Sequence, residues 1–166
     1  ISRLVRQPRG NAMLVGVGGS GRNSCTRMAT HLNTASGQPA DLVTISLIKG
    51  YNVQMFREDE KLFLNAAGGG EGKPTVFMFS DTQIINETFL EDVNNILNAG
   101  EVPSMFASDE QDRIVGDLRD KAKQEGASET REGIWSFFVS RCRDNLHIAL
   151  LMSPVGDALR VRMRQF

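Results

Sequence analysis

Gly16-Val17-Gly18-Gly19-Ser20-Gly21-Arg22-Asn23-Ser24 is the stretch whose residue types and spacing could do chemistry. Gly16 and Gly21 fit the G-x-x-x-x-G-K-[ST] spacing of a loop that wraps phosphates. Arg22 stands where such loops carry lysine, and Asn23 where they carry the hydroxyl that touches Mg2+. Most of such a cradle is backbone: successive N–H groups at a helix start, assisted by the helix dipole. Phosphate affinity therefore survives changes of side chain. Arg22 keeps the positive charge but presents a longer planar fork in place of a compact ammonium. Asn23 offers a neutral amide oxygen, and Ser24 lies one residue on, turned by about 100° around the helix. Metal binding is expected to weaken.

Two other readings of the glycines stay open. Gly16, Gly18 and Gly21 also satisfy G-x-G-x-x-G, the dinucleotide fingerprint, which needs an acid at the end of the second strand to hold a ribose. Asp41 begins that strand instead of ending it, which counts against a dinucleotide. The plainer alternative is a glycine turn that packs a helix on a sheet and binds nothing.

A hydrolase built on such a loop also needs acids at a neighbouring strand end, one to hold metal and one to orient or deprotonate water. "VFMFSDTQ", Val76 to Gln83, is the candidate, and it holds one carboxylate, Asp81, between Ser80 and Thr82. Whichever register is chosen, one functional group is lost. General-base catalysis is worth roughly 10²- to 10⁴-fold, so hydrolysis is expected to be slow or absent. Ser153, after the last apolar strand, stands where a polar group would sense a terminal phosphate.

These residues have to be positioned by alternating strands and helices. The apolar run 12–17 leads through the glycines into a helix over 24–32. The run 41–49 alternates like a second strand, and 53–67 is helical with Asn52 as cap. The run 75–79 reads as a buried parallel strand. Phe89, Val93, Ile96 and Leu97 form a helical stripe stopped by Gly100, two more helices are expected over 109–125 and 130–144, and 146–152 is a final apolar strand. Together they predict an α/β fold with a mostly parallel sheet and helices on both faces. Trp135, Phe137 and Phe138 have the helical spacing of core packing, with no basic strip to make them a base-stacking platform.

Composition narrows the partners. With 19 basic against 20 acidic side chains there is no global field to attract nucleic acid or a membrane, and no apolar run reaches the ~18 residues of a membrane span. A soluble, intracellular protein is expected. Cys25 and Cys142 lack a C-x-x-C pattern and are expected to be reduced, buried thiols; His31 and His147 have no ligand set around them. The chain begins without methionine and stops inside the basic stretch "GDALRVRMRQF", as a piece of a longer protein would.

Three long stretches in one order, "RQPRGNAMLVGVGGSGRNSCTRMA", "EGKPTVFMFSDTQIINETFLEDVNNILNAGEVPSMF" and "RDNLHIALLMSPVGDALR", closely resemble the large subdomain of the fourth AAA+ module of axonemal dynein heavy chains. The similarity covers nearly the whole chain and is weakest around 34–40 and 65–70. The arginine in the loop is a mark of the axonemal version. The resemblance implies an AAA+ P-loop fold and a regulatory ATP or ADP site next to the stalk, with the main hydrolytic site in the first module of a six-module ring, which walks towards microtubule minus ends and bends cilia and flagella.

Carried over by motif, Gly16 to Ser24 would contact phosphates and Ser80 and Asp81 would hold the Asp-Glu positions. Asn23 and Asp81 would be the weak Mg2+ ligands, and Ser153 would be the first sensor, where asparagine is commoner. The implied partners are neighbouring AAA+ modules of the same chain, dynein intermediate and light chains, and the microtubule through a stalk outside this segment. The implied setting is the cytoplasmic cytoskeleton and the axoneme. A smaller lid subdomain and an arginine finger are expected elsewhere in the chain, and 101–106 is expected to project as a loop. A structural module with an empty pocket is the rival reading; a free-standing small-molecule kinase is disfavoured because no arginine-rich lid segment follows the loop.

Overall fold

The computed structural model describes residues 1–154; the stretch "GDALRVRMRQF" and the other residues after Pro154 lie outside the described residues. Four strands form one parallel sheet in the order β1-β4-β3-β2, with β1 Ala12–Val15, β2 Asp41–Val43, β3 Thr75–Ser80 and β4 Leu146–Met152. The helices are α1 Ser2–Val5, α2 Arg22–Ala35, α3 Val53–Gly68, α4 Glu87–Ala99, α5 Ser108–Gln124 and α6 Arg131–Asn145, and a 3-10 turn at Asp81–Gln83 closes β3. The parallel α/β architecture predicted from the alternating pattern is present.

β3 and β4 take the centre because they are apolar on both faces, and every residue of β4 is buried. Side chains alternate across the sheet. Phe77, Phe79, Ile148, Leu150 and Met152 join a core with α3, α4, α5 and α6, whereas Val76 and Ala149 meet Val5 of α1. Stacked ring pairs tie the larger core: Phe56 on Phe89 with centroids 4.1 Å apart, and Phe63 on Phe77 at 4.4 Å.

Local signals set the helix ends. Asn52 accepts a hydrogen bond from Met55 N–H and Thr130 from Gly133 N–H, while Gly100, at φ 84°, closes α4 in a conformation that glycine adopts without strain.

Three expectations need correction. The second strand covers 41–43 and not 41–49: it pairs with β3 from Thr75 to Phe77, and the chain then leaves the ladder although β3 runs on to Ser80, Gln83 Nε2 donating to Thr44 Oγ1 and Ile45 O instead. The segment 101–106 does not project: Val102, Met105 and Phe106 are buried, Phe106 packs edge-on against Trp135 and Phe138, and Glu101 accepts a hydrogen bond from the Trp135 indole at 2.9 Å. Cys142 is buried as expected, but Cys25 is exposed, since α2 turns Thr26, Ala29, Thr30 and Asn33 inward instead. His31 is at the surface, and His147 is a buried structural residue whose Nδ1 lies 2.9 Å from Gly10 O. Among the described residues no helix is long and apolar enough to cross a membrane.

Candidate nucleotide site

The glycine loop runs from the end of β1 to the start of α2. Gly16 N–H continues the parallel ladder to Met152 O at 3.1 Å, and Ser20 N–H closes a turn on Val17 O at 3.1 Å. Ser20 Oγ folds over Gly16 so closely that a Cβ there would lie 2.6 Å from it and would displace the serine hydroxyl. Gly19 and Gly21 both have positive φ, 78° and 80°. The first bond into α2 runs from Cys25 N–H to Gly21 O, so the amides of Arg22, Asn23 and Ser24 have no acceptor within the helix. That is an anion-binding geometry: free N–H groups at the positive end of a 14-residue helix.

In front of the loop is a cavity of about 300 Å³, lined by Gly19 to Ser24 together with Ser80, Asp81, Thr82 and Leu151. The fold therefore gathers most of the residues singled out in the sequence. The strand that brings the acid is not the loop strand's neighbour, however: β4 lies between β1 and β3. Asp81 bridges that gap by accepting a hydrogen bond from Ser153 N–H at 2.8 Å, just past the end of β4. From the other side the Arg22 guanidinium donates to Ser153 Oγ at 3.4 Å. Loop, acid and sensor position thus converge on one serine.

Burial works against ionisation of Asp81, but hydrogen bonds from the side chain and backbone of Ser153, the positive charge of Arg22 and the Thr82 amide outweigh it, holding the carboxyl below its usual range. Asp81 is an anion already supplied with donors, a poor state from which to take a proton from water. Arg22 has one buried terminal nitrogen, Nη1, with no hydrogen-bond partner.

Ser80 and Thr82 are engaged with each other, their hydroxyl oxygens 2.8 Å apart. Gln83, which the sequence reading passed over, organises this turn. Its Oε1 accepts from Ser80 N–H at 2.8 Å and from Ser80 Oγ at 3.1 Å, and its Nε2 donates to Ile45 O at 2.6 Å and to Thr44 Oγ1 at 3.1 Å. The signal was present: Ser80-x-x-Gln83 has the spacing of a capping box. Asp41 pairs with Thr75 at the start of the sheet, opposite the end that carries the loop, which removes the dinucleotide reading.

A divalent cation of the kind used in such sites wants an octahedron of hard oxygens. The residues present do not fit one well. The position of the ligating hydroxyl holds the Asn23 amide, the single carboxylate is committed to Ser153 beside a guanidinium, and among the described residues no cluster of three or more His, Cys, Asp or Glu could hold a metal.

A glycine loop between a parallel strand and a helix start, faced by an acid from a second parallel strand, defines the P-loop class of nucleotide-binding α/β domains. Within that class, the chain belongs to the family described as P-loop containing dynein motor region D4, whose model matches residues 1–166. It is 50% identical over 168 residues to the dynein-1-beta heavy chain, flagellar inner arm I1 complex, of Chlamydomonas reinhardtii. It is 48% identical over 167 residues to dynein axonemal heavy chain 6 of Homo sapiens, and 45% identical over 166 residues to dynein axonemal heavy chain 1 of Rattus norvegicus. Each match takes in 100% of this chain and 4% of the relative, so the chain spans a small fraction of the length of these proteins.

Proposed function

We propose that this segment is the large subdomain of a regulatory nucleotide-binding AAA+ module in an axonemal microtubule motor. It holds ATP or ADP with little or no hydrolysis, while other modules of the same chain supply the turnover that drives minus-end-directed movement and ciliary or flagellar beating. Its partners on this reading are the adjoining modules, the associated intermediate and light chains, and the microtubule reached through a stalk elsewhere in the chain.

The observation that carries the reading is Asp81. Among the described residues it is the single carboxylate lining the cavity, and it accepts the Ser153 N–H beside Arg22 instead of standing free to activate water. A group in that state forfeits the roughly 10²- to 10⁴-fold contribution of a general base. The amides of the loop and the first turn of α2, by contrast, are intact as a phosphate cradle, and a cavity of about 300 Å³ supports occupancy over an empty structural module.

In the intact motor chain, Arg22→Ala is expected to change the nucleotide occupancy of this module and the velocity of microtubule gliding while most ATP turnover remains. Loss of nearly all turnover would place the main catalytic site here and overturn the proposal.

A further inference from the structure

We infer that the nucleotide held here binds as the free polyphosphate, with the Arg22 guanidinium in the role that Mg2+ plays in hydrolysing sites. The inference rests on the nucleotide reading above and adds the chemical form of the ligand.

A polyphosphate entering the cavity brings several negative charges towards the Asp81 carboxylate, which lines the same cavity and accepts the Ser153 N–H at 2.8 Å. In a hydrolysing site a divalent cation lies between such groups and cancels the repulsion. Here the guanidinium is the cation already at hand: Nη2 donates to Ser153 Oγ at 3.4 Å, on the same residue whose N–H Asp81 accepts at 2.8 Å. The 3.4 Å contact is long for a charged donor, so it is readily exchanged for a better acceptor. Among the described residues the second terminal nitrogen, Nη1, is buried without any acceptor, a state that costs free energy until one arrives. Two donors on one planar fork, one unsatisfied and one weakly satisfied, match two oxygens of a phosphate.

The ligands that would favour a metal are missing from the same place. Asn23 replaces the hydroxyl, and Asp81 Oδ2 is 2.8 Å from Ser153 N–H. For Asp81 to enter a metal shell it would have to give up donors that already stabilise its charge.

The experiment uses the intact motor chain and ADP as the probe, imaged by electron cryo-microscopy with Mg2+ present and with the metal removed by chelation. Other nucleotide sites of the same chain serve as internal controls. Density for ADP along Gly18 to Ser24 is expected in both maps, its occupancy changed by no more than about twofold, with no ion near Asn23 or Asp81. A double variant, Arg22→Lys with Asn23→Thr, is expected to make occupancy metal-dependent by on the order of tenfold, because a compact ammonium and a hydroxyl restore the divalent site. ADP present only with Mg2+, or an ion coordinated by Asn23 or Asp81, would overturn this inference and leave the nucleotide reading standing. A cavity without ADP in both maps would overturn both. If the double variant stays indifferent to chelation while ADP persists, Arg22 is not the group that replaces the metal and the inference fails.

Discussion

Two carboxyl groups of this chain, Asp81 and Glu60, are both penalised by burial and yet move in opposite directions. Asp81, at the end of β3, is compensated by Ser153, Thr82 and Arg22 and is held below its usual range. Glu60, on the inner side of α3, is fully buried with neither oxygen bonded. Burial first, and the nearby negative charge of Asp92 second, push it up to about 9 against a smaller opposing pull from Arg57. The Arg57 guanidinium that could have served it donates instead to Asp92, at 3.0 Å. The difference has two causes: Glu60 is fully buried and without donors, whereas Asp81 is only partly buried and supplied with them. The site end of the sheet supplies donors to its acid, whereas in the helical layer Arg57 serves Asp92 and Glu60 is left without one.

The sharpest way to break the contrast is Glu60→Gln. A carboxyl whose folded-state pKa is raised is fully compatible with the fold below its unfolded value and costs stability progressively as pH rises towards its folded value. Wild-type stability is therefore expected to decline across the window from about 4.5 to about 9, by up to about 1.4 kcal/mol per pH unit from this group. The glutamine variant should lack that slope and melt at a higher temperature near pH 8. Local hydrogen exchange of α3 in the intact motor chain, with each variant compared to wild type at the same pH, would test this; equal protection of both at every pH refutes the neutral buried acid.

A smaller effect is expected at the donor-rich end from Gln83→Ala. It leaves Ser80 N–H and Ile45 O without the partner they share, at a cost of about 1–3 kcal/mol, and loosens the turn that aims Asp81. Faster amide exchange at Ser80 together with weaker nucleotide retention is the expected readout. Unchanged exchange would mean that the turn is held by β3 alone.

Asp81→Asn sharpens the comparison with the least disturbance. A carboxyl held below its usual range contributes stability above its unfolded pKa and loses it as pH falls through the folded value, so Asp81→Asn is expected to lower stability at neutral pH, with the gap to wild type closing on the acid side, below about pH 4. At neutral pH the variant is expected to leave most of the motor's ATP turnover standing, the opposite of what a working catalytic acid would give. A turnover assay beside an acid-unfolding curve separates the two.

Much of the scaffold was legible because it rests on local rules. β4 occupies 146–152 as its apolar run predicts, and the ends of α3, α4 and α6 follow the caps Asn52, Gly100 and Thr130. The short helix α1 was missed because four residues carry too little periodicity to register. β2 was overextended because β-branched alternation persists in 44–49 after the chain has left its partner, which runs on to Ser80. The segment 101–106 was misjudged because proline and serine mark a turn without revealing that Val102, Met105 and Phe106 around them point into the core.

At the site, residue types by themselves determined the family and the glycine loop before the helix, since these depend on glycine backbone freedom and on the order of residues in the chain. Only the tertiary structure decided how the survivors are used. Ser153 is 72 residues from Asp81 and 131 from Arg22 in the chain, and it becomes their common partner because parallel pairing sets the ends of β3 and β4 beside each other. Glu60 likewise became a buried, unpaired acid through packing of α3 that its own neighbours in sequence do not reveal. Hydrogen bonds between distant residues depend on register and packing, and those are properties of the assembled sheet rather than of any local stretch.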